Sequence, residues 1–338
     1  MKNDKDPMKP AAFLWLIVAA MLVLGALFPP QALAQLPARF YLKPLAGTEA
    51  VPIIYESVTG NTNPFDPAQT EIPAANGVSF DATMTLSGYV KFFPLFDRSV
   101  MALMVVPMGH VSGDVTVAGK TVTQSSNGFG DPMIEFDINV IGPPAQRTIP
   151  DGVFYEPGFS LDLLADLFLP LGVYDDKQVL NLGQNRWYGR LGAPIIWQLG
   201  PWVPGRRATL ELLPAVYLFG ANDDYNSGNT LRTDPKYQLD AHLTRDLMDH
   251  AWASLDATWY KGAQAYINGT KVGSKVDIFG VGLTLGYHVN DNASLTVGYK
   301  STIDSNNPGN LRMDVFMVTL VIGWHPIIEG SKRLQGEK

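Results

Sequence analysis

The chain has no cysteine, so neither a disulfide framework nor thiolate or zinc-thiolate chemistry is open to it. Charge is also scarce. Only 17% of residues are Asp, Glu, Lys or Arg, and the net charge of −7 excludes the basic surface that nucleic-acid binding needs. The five histidines, His110, His242, His250, His288 and His325, are dispersed, and none has the close His/Asp/Glu spacing of a metal site. No repeat of fixed motif is visible. Past Gln35, apolar runs are broken every few residues by Gly, Asp, Ser or Thr, which leaves no candidate for a membrane-spanning helix.

The one long apolar run lies at the N-terminus. Lys2, Lys5 and Lys9 precede Ala11–Phe28, Pro29-Pro30 breaks the run, and Ala32-Leu33-Ala34 supplies small residues at a cleavage site. This pattern predicts a secretory signal peptide over 1–34. The competing reading is an uncleaved inner-membrane anchor, since about 18 apolar residues almost span a bilayer. Residues 35–48 then form an N-terminal periplasmic segment.

The dominant period of the remaining chain is two, the strand period. In Val276–Val289, Phe279, Val281, Leu283, Leu285 and Tyr287 share one parity, while Gly280, Gly282, Thr284, Gly286 and His288 share the other. Phe136 and Ile138 alternate with Glu135, Asp137 and Asn139. Leu161, Leu163 and Leu167 flank Asp162 and Asp166, and Leu239 and Leu243 flank Asp240 and His242. Leu255, Ala257 and Trp259 alternate with Ser254, Asp256 and Thr258. Mid-strand carboxylates are costly unless they are solvated or paired. A wet barrel lumen solvates them, and so does the outer face of a soluble sandwich, so alternation alone does not choose between the two.

Connection lengths do. Short ones (94–98, 200–206, 247–249, 290–291) alternate with long ones (59–76, 112–128, 170–184, 221–233, 262–274, 305–310), with 142–152 as the one short-series member that runs long. Short periplasmic turns and long external loops are the pattern of an outer-membrane barrel. The fold class is therefore all-β: an antiparallel transmembrane β-barrel of about twelve strands spanning 49–324. The strands fall at 49–58, 77–93, 99–111, 129–141, 154–169, 185–198, 207–220, 234–246, 250–261, 275–289, 292–304 and 311–324. Pro52 makes the first the weakest, and Met101–Met108 is apolar on both parities, which predicts a partly greasy lumen. The closing strand ends on Trp324, in the form that outer-membrane assembly machinery reads, and a polar periplasmic tail, 325–338, follows it.

The residues expected to line the lumen are Glu135, Asp137, Glu156, Asp162, Asp166, Glu211, Asp240, His242 and Asp256, faced by the bases Lys236, Arg245 and Lys300. Because these acids outnumber the bases, the expected passage is narrow, water-filled and net negative, and it favours cations over anions. The opposite outcome is a plug of cross-strand ion pairs. His242 has no Ser-based motif nearby and reads as a lumen residue, so no catalytic residue, metal site or cofactor is assigned. Gly128-Phe-Gly130 precedes a strand rather than a helix and so is no nucleotide loop.

Four stretches carry a family resemblance: Gly128-Phe-Gly-Asp131, the run Leu169-Pro-Leu-Gly-Val-Tyr-Asp175 leading to Asn185-Arg-Trp187, Asn222-Asp-Asp-Tyr-Asn-Ser-Gly228 and Tyr237-Gln-Leu-Asp240. Together they resemble the bacterial outer-membrane proteins grouped as the putative MetA-pathway of phenol degradation family. The resemblance covers most of 77–324. It implies a barrel embedded in outer-membrane lipid that passes small, often aromatic, solutes inward. The alternative is a non-conducting structural or adhesive barrel acting through its long loops.

Overall fold

A computed structural model of the chain describes residues 37–70, 80–117, 119–307, 309–326 and 328–329. The region expected to be a signal peptide lies outside the described residues.

The ring begins with β1 (Glu49–Gly60), β2 (Phe80–Leu95) and β3 (Arg98–Val117). β4 (Lys120–Phe129) folds back on the outer half of β3, and β5 (Met133–Ile141) continues down its inner half. Next come β6 (Phe159–Phe168), β7 (Tyr188–Gly192) with β8 (Ile195–Gln198), and β9 (Ala208–Phe219). β10 (Asn222–Tyr225) and β11 (Asn229–Thr233) form an external hairpin before β12 (Lys236–Met248) and β13 (Ala251–Gly262). A second hairpin, β14 (Ala265–Ile267) and β15 (Thr270–Val272), joins the first through β11. The ring ends with β16 (Val276–Asn290), β17 (Ala293–Ser305) and β18 (Met313–Trp324).

Sequential strands pair antiparallel, and β1 pairs with β18 from Glu49↔Trp324 to Gly60↔Met313, so the sheet closes on itself. With β4–β5 and β7–β8 each filling one place, the barrel has twelve strands, and closure leaves no free edge.

Burial is inverted relative to a soluble protein. Phe136, Leu163 and Leu255 are 53–63% exposed on the outer face, while Glu135, Asp162 and Asp240 are at most 1% exposed within. Only a lipid solvent rewards that arrangement, because apolar side chains gain nothing from facing water. Exposed aromatics ring both ends of the apolar band: Trp187, Tyr237, Trp259 and Phe279 at the external end, and Tyr89, Phe159 and Trp197 at the periplasmic end. Their amphipathic rings suit the headgroup level.

Differences from the sequence reading have local causes. The expected loop 112–128 is mostly a hairpin, β3–β4, whose Thr- and Ser-rich outer strand lacks an apolar period because water bathes it. The expected strand 154–169 starts only at Phe159. Before it lies α1 (Ile149–Val153), begun by a capping box in which Thr148 Oγ1 accepts from Asp151 N while Asp151 accepts from Thr148 N. Strand 185–198 is interrupted at Ala193-Pro194, since Pro194 has no N–H to donate. Pro52 nevertheless sits inside β1, and its ring is accommodated because Gly88 faces it. A Cβ at Gly88 would lie 3.1 Å from Pro52 Cγ and 2.9 Å from Met104 O. The β2–β3 turn needs only Phe96 and Asp97, both at positive φ (47° and 66°), as in a type I′ turn.

Leu283 lies mid-strand on the outer face. Leu283→Arg is expected to lose about 2–4 kcal/mol in urea titrations of folding into liposomes, with Leu283→Phe near wild type. Equal stability of the arginine variant would place residue 283 inside the barrel. Arginine at Gly282 would have to displace the Lys300 side chain, because a Cβ there would meet Lys300 Cγ at 2.5 Å.

Candidate functional site

Ten of the twelve lumen candidates are buried in the barrel interior: Glu135, Asp137, Asp162, Asp166, Glu211, Lys236, Asp240, His242, Asp256 and Lys300. Two are not. Arg245 falls on the outward parity of β12 with Leu243, near the periplasmic rim, where its Nη1 donates to Arg206 O at 3.1 Å. Glu156 precedes β6 on an exposed segment and accepts from Gln198 Nε2 at 3.3 Å.

The interior acids are met by cations that the sequence count omitted. The described part of the expected periplasmic segment, 37–48, runs inside the barrel. Lys43 Nζ lies 2.7 Å from Asp162 Oδ2 and donates to Ser160 Oγ at 2.8 Å. Asn139 Nδ2 donates to Asp162 Oδ1 at 2.7 Å. Arg39 donates from its backbone N to Glu211 Oε2 at 2.7 Å and from Nη1 to Asp246 Oδ1 at 2.7 Å, with its guanidinium 4.8 Å from the Trp252 ring. Further out, Arg190 binds Asp166 through Nε and Glu135 Oε2 at 3.3 Å through Nη2. These acids are thus paired with Arg39, Lys43 and Arg190 rather than with the bases Lys236, Arg245 and Lys300 expected to face them. Protein cations, two of them from the N-terminal segment, pair with much of this cluster, in which acids still outnumber cations. His325, at the start of the tail, holds the same segment through Nε2 and Ala46 O, 3.0 Å apart.

The external end is filled too. Leu180 and Leu182, expected in a solvated loop, are fully buried with Phe65, Phe80, Val111 and Met313. Asp131 clasps this loop: its two oxygens accept from Gly172 N (2.9 Å) and Gln184 N (2.8 Å). Gly172 and Gly183 touch back to back, and a Cβ on either would come within 2.7 Å of the other's backbone. That contact gives a physical reason for the glycines of this stretch and for Asp131 after Gly128-Phe-Gly. Arg186, also from this loop, donates to Thr233 Oγ1 at 2.7 Å and lies 3.6 Å from Asp66. Burial pulls its guanidinium below the usual range, and Asp66 resists that pull.

The polar network occupies the wall from β5 to β13. The opposite wall, β1 to β3, is apolar apart from Glu56: Met101, Leu103 and Val105 point inward and Met104 and Met108 outward. Two cavities lie along it. One of about 310 Å³ on the periplasmic side is lined by Phe92, Met101, Trp252 and Val321. The other, about 230 Å³ and nearer the external end, is lined by Met84, Val105, Tyr188 and Tyr260. Both border Pro37, Phe40, Pro52, Ile54 and Leu103, which places Phe40 of the N-terminal segment between them.

His242 Nδ1 lies 2.6 Å from Asp256 Oδ1, and Ser254 Oγ donates to that same oxygen at 2.6 Å. The hydroxyl thus serves the carboxylate rather than an imidazole nitrogen, unlike a nucleophile with its base. Among the described residues no group of three or more His, Cys, Asp or Glu is placed to hold a metal ion.

With this geometry in hand, the family described as "Putative MetA-pathway of phenol degradation" matches residues 60–311. The COG4313 outer membrane channel from Pseudomonas putida F1 is similar in structure, with a TM-score of 0.69 at 16% identity over 86% of this chain and all of that one. Weaker likenesses include the transport unit of the autotransporter AIDA-I from Escherichia coli (TM-score 0.44, 10% identity, 90% of this chain and 97% of that one). A FadL homologue from Pseudomonas aeruginosa is weaker again (0.36, 8%, 82% and 88%). No curated protein matches. The protein is a bacterial outer-membrane β-barrel.

Removing one partner of a buried ion pair leaves the other charge uncompensated, at about 3–5 kcal/mol. Lys43→Met and Asp162→Asn are each expected to destabilise by about that much in urea titrations, and the double variant by far less than the sum. Additive losses would show that the pair is not coupled.

Proposed function

The chain belongs to the putative MetA-pathway of phenol degradation family, and from that premise we propose that it carries small hydrophobic or aromatic solutes passively across the outer membrane. The observation that supports this reading is the pair of cavities in series along the β1–β3 wall, with Phe40 between them. A neutral aromatic loses little by leaving water for such a wall. A hydrated ion would have to part the Lys43–Asp162 and Arg190–Asp166 pairs. The route is therefore the apolar side of the interior rather than its acidic side, and Asp137, Asp162, Asp166, Asp240 and Asp256 act as the anchorage that holds the N-terminal segment and the polar wall in place. Passage requires Phe40 to swing aside or the segment to shift.

Export and assembly complete the proposal. Cleavage after Ala34 frees the segment to enter the barrel, and the apolar parity of β18, ending at Trp324, presents the closing strand to the assembly machinery. Mass-spectrometric sequencing of protein purified from outer membranes should begin at Gln35, and an intact Met1 would refute the cleavage.

Proteoliposome uptake of a neutral aromatic such as benzyl alcohol tests transport. Leu103→Trp, which fills the point where the cavities meet, is expected to slow uptake several-fold, and Phe40→Ala to speed it. Uptake no faster than in protein-free liposomes would favour a non-conducting structural barrel, a reading that the filled mouths on both sides support.

A further inference from the structure

The external cavity is apolar over most of its lining, but Lys236 projects into it from the outer end of β12. The residue is 3% exposed. Its Nζ sits 4.3 Å from the ring centre of Tyr260 and 4.8 Å from that of Tyr217. Among the described residues no carboxylate oxygen lies within 4.0 Å of it and none accepts a hydrogen bond from it. The other charges in the lining are otherwise placed. Arg190 is bound by Asp166 and Glu135. Asp66 accepts from the backbone N of Ala68 and Thr70 and lies near Arg186, and Asp131 clasps the loop. Glu56 belongs to β1, five strands from β12 around the ring, and its Oε2 is buried without a hydrogen-bond partner.

A buried ammonium that rests on two ring faces, with the Asp66 and Asp240 carboxylates acting on it from beyond ion-pair distance, keeps donors for an anion. The space beside it is about 230 Å³, and an apolar cavity of about 150 Å³ is enough to hold benzene. We propose that this cavity is a binding site for a small aryl or short alkyl carboxylate. The carboxylate sits on Lys236 Nζ and the apolar body lies against Met84, Leu86, Leu103 and Val105. Glu56, a carboxyl with nothing to offer an anion, lines the β1 side of the cavity, so the carboxylate end belongs at Lys236. The tyrosine rings hold the ammonium without neutralising it, so the arriving carboxylate completes a charge-assisted hydrogen bond that the empty site lacks. The proposal rests on the solute-conduit reading above and adds to it the chemical class that the conduit selects.

The test uses the full chain in detergent, with folding checked by heat-modifiable migration on gels. Binding of benzoate and of benzyl alcohol, its neutral counterpart in shape, is measured by calorimetry. The wild type should prefer benzoate by about tenfold, the worth of one hydrogen bond to a charged group. Lys236→Met should abolish that preference and Lys236→Arg should retain it. A crystal soaked with 4-bromobenzoate supplies a readout free of any variant, with the bromine signal inside the cavity and the carboxylate on Lys236. Equal binding of the two probes by the wild type, a preference that survives Lys236→Met, or bromine found elsewhere would each overturn the proposal. Failure of the transport reading looks different: benzoate would bind with the stated preference, yet neither probe would cross proteoliposomes.

Discussion

A carboxylate that points into a closed barrel needs a counter-charge, and that requirement organises this protein. Lipid takes one parity of each strand, so Glu135, Asp162, Asp166 and Glu211 have nowhere to turn but inward. Isolated there they would be far too costly. The chain answers with Arg190 from the neighbouring strand and with Arg39 and Lys43 from the segment ahead of the first strand. The filling of the barrel is thus a condition of having built it with acids inside.

The interior is divided by composition. From β5 round to β13 the inward residues are acids, amides, hydroxyls and their cations, and from β1 to β3 they are Ile54, Leu86, Met101, Leu103 and Val105. Polar groups of the first region pair largely with one another, and apolar groups of the second leave spaces that water has little reason to fill. Pro52 belongs to the second region. A residue that cannot donate to a ladder is tolerated in β1 because its ring faces Gly88 and lines both cavities.

Parity was legible in the sequence because a transmembrane strand has one lipid face, and the alternation of Leu161, Leu163 and Leu167 with Asp162 and Asp166 records it directly. The strand count followed for the same reason. What lay outside the membrane was less legible. Lys120–Phe129 forms a strand in water and has no apolar period to betray it. Phe154–Gly158 has the residue types of a strand, but its backbone is taken by the turn after a short helix. The plug was the largest omission. Arg39-Phe-Tyr-Leu-Lys43 sets cations around aromatics beside the expected cleavage point, yet no period marks it, because its partners are 103 to 207 residues away. Arg245 misled for a simpler reason: its charge suggested the lumen, whereas its parity already assigned it to the outer face.

The pairing of the first strand with the last has a bearing on how the molecule is put together. Glu49 and Trp324 meet across 275 residues of chain, so closing the seam is a contact of very long range with a large loop-closure entropy. The plug is covalently joined to one lip of that seam. Threading it through a finished ring from below would mean burying Arg39 and Lys43 against a wall already in place. An open sheet can instead wrap around the segment while its acids are still hydrated. On that order, the zipping of β1 to β18 would both close the ring and enclose its contents.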